Sequence, residues 1–489
     1  MATIKTDFIG GAYQHRSLIV DGQECVNLYP EIEQGNSKSV AALIGTPGLE
    51  LWATATNNAG CRGLYSSSLG RRFSVNGSAF YEYNSAGLVT VRGALATASG
   101  MCTFADDGYH LIIADGDYGY ELNLTTNVFT QITDGDVGGS HVVFLDGFFI
   151  MTMKDTGKCI PTEVRAGPVA DLVWDAGEEF SAESFPDNLK AALKTNNEIW
   201  LFGDKSIEVW YNTGDSTSQF QRIRSAVLNV GLAATYACST NGQNMFWLGS
   251  NDQGQGVVFK SNGYQAQRIS THTIEYIIGK MSRIDNAVSY CYQQEGHEFF
   301  LIHFLNANKS LCYDGATGLW HERTSYDETA NVAKVHMGIA YAMWGGTSYV
   351  GDYENGKIYK LDLSVYSDSG APIQRIRSTP HIHKNGKNIF FQRFEIDMEK
   401  GVGLDGDTGV AATRPQGVAP RAMLTWSDDG GHTWSNEYWV DIGAMGQYKT
   451  RVAWNRLGCS RDRIFRVVIS DPVKVVLVGA TMDVEIERG

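Results

Sequence analysis

Charge is scarce in this chain, and basic charge scarcer still. Only 19% of its 489 residues are charged, with 40 Lys and Arg against 54 Asp and Glu, a formal net charge of −14. A protein that grips nucleic acid presents a basic face, because neutralised phosphates supply most of the affinity. The sequence shows no such face; Arg71-Arg72 is too short a basic run. An acidic wall would repel DNA, which suits a conduit that must not hold it, and plain solubility explains the charge as well. No apolar run is long enough to span a bilayer. The start, Met1-Ala2-Thr3-Ile4-Lys5-Thr6-Asp7, lacks the apolar stretch of a secretory signal. The cysteines (Cys25, Cys61, Cys102, Cys159, Cys238, Cys291, Cys312, Cys459) form no C-x-x-C pair. A zinc site needs closely spaced ligands, so they read as buried, reduced thiols of a protein made in a cytoplasm.

Gly (54 residues), aromatics (11%) and apolar residues (43%) are plentiful instead. That mixture predicts an all-β chain with many tight turns, and it excludes coiled coils and disorder. Between Cys61 and Leu361 the chain repeats roughly seven times a unit of about 40–45 residues, the period of β-propeller blades. Most units run from an apolar strand through a turn to a strand carrying Tyr or Trp, then to a polar edge. Arg72-Phe73-Ser74-Val75 and Ala79-Phe80-Tyr81-Glu82-Tyr83 flank Asn76-Gly77, a hairpin signal. His141-Val142-Val143-Phe144 and Phe148-Phe149-Ile150-Met151 are joined across Asp146-Gly147 in the same way.

The predicted organisation is an extended N-terminal arm over 1–55, a β-propeller of about seven blades over 56–378 and a C-terminal β-sandwich over 379–489. The arm is dense in Gly and Pro and is expected to lie along another surface. A loop insertion at about 155–194 interrupts the repeats. It carries Asp175-Ala176-Gly177-Glu178-Glu179 and the stretch Pro186 to Leu193, and one helical turn is expected within it. Residues 400–420, rich in Gly, Ala and Pro, read as a long exposed loop.

Motifs that could carry chemistry resolve mostly into turns. Ser427-Asp428-Asp429-Gly430-Gly431-His432-Thr433-Trp434 fits S-x-D-x-G-x-T-W, the Asp-box of sialidase propellers. Its Ser427, Asp429, Gly431, Thr433 and Trp434 are expected to build a turn: Asp accepts turn hydrogen bonds, Gly permits positive φ, Trp packs beneath. A sialidase also needs an Arg cluster and a Tyr nucleophile, and no Arg cluster is identifiable. Three Asp-Gly-Asp-x-Gly segments start at Asp115, Asp134 and Asp405. Alternating Asp can ligate calcium, but Thr126, Leu145 and Gln416 stand where an EF-hand needs its closing Glu, so Asx-turns are expected. His297-Glu298 with His303 is not H-E-x-x-H and lies on a strand pattern. His381-Ile382-His383 lacks a third ligand. Trp200, Trp210 and Trp247 recur at equivalent repeat positions, which favours core packing over a sugar platform. There is no G-x-S-x-G, P-loop or dinucleotide fingerprint. No catalytic, cofactor-binding or metal-binding residue is therefore assigned, and no cofactor is expected.

An ordered series of segments resembles the packaged-DNA stabilisation (tail nozzle, or tail hub) proteins of short-tailed bacteriophages. These are Gly45-Thr46-Pro47-Gly48-Leu49, Arg62-Gly63-Leu64-Tyr65, Phe180-Ser181-Ala182-Glu183-Ser184-Phe185-Pro186-Asp187, Phe202-Gly203-Asp204-Lys205-Ser206-Ile207-Glu208-Val209-Trp210, Tyr359-Lys360-Leu361-Asp362 and Arg377-Ser378-Thr379-Pro380. The pair around Ser184 and Glu208 is the most specific. The Asp-box stretch is not part of that pattern. The resemblance implies a non-enzymatic virion protein, made in the host cytoplasm and placed in the tail. Six copies would form a ring that prolongs the portal and adaptor channel, is closed by a needle or plug, carries tailspikes or fibres, and passes double-stranded DNA without reading its sequence. It implies no membrane span. The alternative is a receptor- or glycan-binding tail module, for which exposed aromatics and the Asp-box speak; a sialidase-like glycosidase stands behind it.

Overall fold

Hairpin chemistry builds most of the chain. Gly77 sits at φ +54°, and Asp146-Gly147 at +51° and +94°, the left-handed conformations that a tight two-residue turn requires. The computed structural model describes residues 2–32, 39–133, 137–163, 172–174, 177–182, 184–215, 219–251, 254–405 and 416–487. Asp134 to Asp136, Asp175-Ala176, Glu183 and residues 406–415 of the 400–420 loop lie outside the described residues. Among the described residues the chain is all-β apart from one short helix, His272–Gly279, and a single 3-10 turn. Two units are present: one formed by 51–308 and 337–361, the other by 1–50, 309–336 and 362–489.

The first unit is a propeller ring of antiparallel sheets. Four of them follow in order: Cys61–Ser66 to Val89–Ala94, Thr103–Asp106 to Phe129–Gln131, Val142–Leu145 to Phe180–Ser181, and Leu189–Thr195 to Phe220–Leu228. A fifth runs from Gly231–Leu232 to Gln265–Arg268, and the last is Gly338–Trp344, Thr347–Asp352 and Lys357–Asp362 with Gly48–Thr54 beside them. Continuous apolar strands are used on both faces. Leu111 and Ile113 face the first sheet's Phe73, Val75 and Phe80, while Ile112 and Ala114 face Phe149 and Met151 of the third. The ring closes where the last sheet packs on the first: Trp344 Nε1 donates to Tyr65 O at 3.1 Å. Six sheets make this ring, not clearly the seven blades that the repeats predict. The sixth repeat is divided. Its hairpin Val288–Gln294 and His297–Phe304 lies in this unit, whereas Lys309–Asp314 and Leu319–Glu322 belong to the other.

Strands also occupy part of the predicted insertion: Lys158–Pro161, Phe180–Ser181 and Leu189–Thr195. The expected helical turn does not form among the described residues of the insertion. Ala191, Ala192 and Leu193 favour helix intrinsically, but pairing with Phe202, Leu201 and Trp200 overrides propensity.

The second unit is a β-sandwich. One sheet pairs Ile389–Met398 with Val476–Ile486, and the other sets Arg375–Ser378 and Arg421–Ser427 on either side of Asp462–Ile469. Phe391, Phe394 and Ile396 meet Leu424, Phe465 and Val467 between them. The arm is built into these sheets. Ala2–Thr6 pairs with the 480–484 stretch, Leu28–Ile32 and Ala41–Gly45 extend the same sheet, and Cys25–Val26 pairs with Arg375–Ser378. All eight cysteines are free thiols, each buried except Cys459. No helix among the described residues is long and apolar enough to cross a membrane.

Candidate functional site

The two most specific sequence segments meet in space. Leu189–Thr195 and Glu198–Gly203 bring the loop before the fourth sheet back over its third strand, Ile207–Asn212. Asp187 then accepts from Lys205 N at 2.8 Å and Ser206 N at 3.2 Å. Gly203 is required there, because a Cβ on it would sit 2.5 Å from Asp187 Oδ2. Glu208 is buried and faces the other way. Its Oε1 accepts from Ser184 N at 2.7 Å and from Arg222 Nη1 at 3.2 Å, and its Oε2 from Trp210 Nε1 at 2.9 Å. Arg222 also bonds Ser184 Oγ. The pair of segments is thus a clasp: Asp187 and Glu208 hold loop to strand through these bonds.

The segments near the chain's start form a second fastening. Asn27 Nδ2 donates to Thr324 O at 3.1 Å and to Gln374 O at 2.9 Å, while Thr324 N returns a bond to Asn27 Oδ1 at 2.9 Å. Arg377 spends its whole fork on the arm: Nε to Phe8 O at 2.7 Å, Nη1 to Gly11 O at 2.8 Å and Glu24 O at 3.3 Å, Nη2 to Gln23 Oε1 at 2.7 Å. These sequence-distant partners carry no local signal, and the sequence reading missed the fastening.

Ser427, Asp429, Gly431 and Thr433 come together as one turn. Ser427 Oγ donates to Asp429 Oδ1 at 2.7 Å and accepts from Gly431 N at 2.7 Å. Asp429 Oδ1 accepts from His432 N at 3.0 Å and Thr433 N at 2.9 Å, and its Oδ2 from Thr433 Oγ1 at 2.6 Å. Gly430 and Gly431 have φ of +74° and +96°. The Trp434 ring lies under Arg466, whose guanidinium carbon is 3.8 Å from the ring centroid. The Thr433 hydroxyl, with the Thr433 amide and Ser427, holds the Asp429 carboxyl well below the usual carboxylate range. A carboxyl depressed by folding lends stability above its unfolded pKa of about 4 and withdraws it as pH falls below that. Ser427→Ala, which strands the Gly431 and Asp429 amides, should cost about 1–2 kcal/mol in a chemical denaturation experiment.

The other candidate motifs separate. Asp115 Oδ1 accepts from Asp117 N at 3.0 Å and Tyr118 N at 2.7 Å, an Asx-turn. His297 and His303 share one buried strand and stack on Phe299 and Tyr290. His381 faces Asp462 at 2.8 Å and Leu18 O at 2.7 Å. Trp200 and Trp247 are core residues and Trp210 is half-buried in the clasp. Among the described residues no group of three or more His, Cys, Asp or Glu is placed to hold a metal ion.

The middle of the ring holds a cavity of about 580 Å³. Its wall takes Tyr65, Phe104, Val142, Ala192 and Cys238 in succession from the first five sheets, then Ser289 of the Val288–Gln294 strand and Tyr341 of the last sheet. His141, stacked on Tyr236 at 5.5 Å, is buried there, and burial pulls its imidazole down to about 3. It is an uncharged wall residue at neutral pH.

Two family models match in succession. The first, described as bacteriophage P22 Gp10, β-propeller, matches residues 7–366; the second, bacteriophage P22 Gp10, β-sandwich, matches 374–485. The chain belongs to the bacteriophage P22 Gp10 family. It is a structural protein of a phage tail, located in the virion, and the family is the packaged-DNA stabilisation family that the ordered segments resemble. The clasp lies within the stretch matched to the Gp10 propeller, and the Ser427–Trp434 turn within that matched to the Gp10 sandwich. No curated protein matches the chain. Among solved structures it is similar to an extracellular domain of a hybrid two-component system from B. thetaiotaomicron, at 10% identity and TM-score 0.43, over 73% of this chain and 45% of that one. It therefore spans less than half of that structure. The WD40 β-propeller domain of Doa1 gives 13% identity and TM-score 0.41 over 64% of this chain and 97% of that one. The Pan2 WD40 domain of Neurospora crassa gives 7% and 0.43 over 65% and 97%. At these scores the likenesses carry no argument.

Proposed function

We propose that this chain is the tail nozzle: an oligomeric ring, built of six copies, that extends the portal and adaptor channel, retains packaged DNA and serves as conduit and attachment platform during ejection. The observation that carries this reading is the pair of consecutive Gp10 matches over propeller and sandwich. On it, a needle or plug closes the channel, tailspikes or fibres attach outside, and double-stranded DNA passes without sequence-specific binding. Physics supports the assignment. Packaged DNA pushes outward, and closely packed β-sheets are stiff. A heterologous contact closes into a ring only at a defined rotation, which rigid sheets help to keep. A net charge of −14, if concentrated on the lumen, would lower friction with DNA.

On the same reading the boundaries are 1–55, 56–378 with its insertion, and 379–489. The Val288–Phe304 hairpin counts as the inner half of a seventh blade, supported by its place in the cavity wall. Ser427, Asp429, Gly431, Thr433 and Trp434 have a structural role, and no residue is catalytic.

The test is the DNA content of virions assembled without this chain. Capsids should package, then lose their DNA, and regain retention when purified protein is added. Stable, full particles that merely fail to adsorb would overturn the nozzle and make the chain a receptor- or glycan-binding tail module.

A further inference from the structure

Asp368 is buried in the sandwich unit, as are Arg323 and Arg375, whose positive charges act on its carboxyl. Its Oδ2 accepts from Ser325 Oγ at 3.0 Å. Arg375 is poorly served in return. It reaches Ile373 O at 3.5 Å and Tyr366 O at 3.4 Å, and its Nε has no hydrogen-bond partner. Arg323 Nε faces His321 Nε2 at 3.3 Å. The charged groups facing Asp368 are therefore these two arginines, with His321 behind one and Tyr366 behind the other.

The arm threads through this cluster. A Cβ on Gly45 would lie 2.9 Å from Arg375 Nε, and one on Gly48 would lie 2.4 Å from Val365 O. Gly48 N donates to Val365 O at 2.9 Å, and Ser369 N to Leu49 O at 2.7 Å. Only glycine fits at both ends of Gly45-Thr46-Pro47-Gly48. The strand Gly48–Thr54 then continues without a break beyond this segment.

We infer that Asp368, Arg323 and Arg375 form a proton-operated latch on the segment Gly45–Leu49, in which the charge on the carboxylate sets how firmly that segment is held. Burial dominates the chemistry of the cluster: it pushes the Asp368 carboxyl up to about 7 and pulls the Arg375 guanidinium down to about 10. A carboxyl raised above its unfolded value binds its proton more tightly in the folded chain. Its stabilisation is complete below the ordinary carboxylate range and is lost as pH rises through about 7. The latch is thus tighter in mild acid than in mild base.

Hydrogen exchange of the Gly48 and Ser369 amides in the full chain tests this, at about pH 5.5 and about pH 8, corrected for intrinsic rates. Protection should be about tenfold weaker at the higher pH in the wild type. In Asp368→Asn, which has no proton to lose, protection should be equal at both. In Ser325→Ala the hydroxyl that favours the charged form is gone, so the midpoint should move up. Wild-type protection that ignores pH, or an identical change in Asp368→Asn, would sink the latch. Should Asp368→Asn fail to fold, Ser325→Ala still decides, because an unmoved midpoint overturns the assignment.

Discussion

Arg377→Ala should remove about 3–5 kcal/mol from the sandwich unit and free the start of the chain for proteolysis. Arg377 is 1% exposed, and burial alone pulls its guanidinium below the ordinary value. It survives as a cation there because Phe8, Gly11 and Glu24 offer backbone carbonyls and Gln23 a side-chain oxygen. Truncation would leave those acceptors without a donor in a place water does not reach, and an orphaned buried acceptor costs its full desolvation. The consequence is local to the arm. Phe8, which stacks edge-on against Phe394 at 6.3 Å, would lose the anchor that holds it in the core. Arg377→Lys should fall between the two, since an ammonium keeps the charge but cannot span the same fork. Chemical denaturation and limited proteolysis read the two effects separately. Wild-type stability together with a protected arm would mean that strand pairing by Ala2–Thr6 suffices, and Arg377 is then incidental.

The arm shows where sequence reading stops. Local chemistry is legible: the Asp146-Gly147 hairpin and the Asx-turn at Asp115 both follow from residues a few positions apart. The partners of Ala41–Gly45 are not. Ile44 pairs with Val476, more than four hundred positions away in sequence, and nothing in Ala-Ala-Leu-Ile-Gly specifies that neighbour. Gly and Pro density marks 1–55 as an extended arm lying along another surface, but not which surface; Gly45 and Gly48 are there because the chain passes within contact of Arg375 and Val365. The blade count is legible only in part for a related reason: six sheets stand out, and the seventh does not. Leu311-Cys312-Tyr313-Asp314 has a blade strand's composition, yet its stretch belongs to the other unit. The helix His272–Gly279 was also missed; Thr271 caps it through Ile274 N, a weak signal inside a run of strand-forming residues. At the candidate site the most specific segments were visible as words, but their meeting was not, because Ser184 and Glu208 are joined by folding rather than by spacing.

Glu208→Ala should destabilise the ring unit by about 2–4 kcal/mol, the largest effect expected of any single change in the clasp. Three donors converge on this buried carboxylate: the Ser184 amide, the Trp210 indole and the Arg222 guanidinium. Removing it strands all three, and Arg222 is then a cation without its partner. Glu208→Gln should recover part of the loss, because one amide oxygen still accepts while the amide nitrogen now meets donors. Arg222→Met on its own should cost less, and the double variant should cost less than the sum. A cycle of the two then gives a coupling of about 1–3 kcal/mol, the range for groups in direct contact. Additive losses would show that the carboxylate acts on Ser184 alone. DNA retention by virions carrying Glu208→Ala separates structure from function. If retention falls only as far as the loss of folded ring dictates, the clasp acts by stiffening the propeller. If a well-folded Glu208→Gln ring leaks DNA, the segment touches a partner directly, and its role goes beyond holding one loop to one strand.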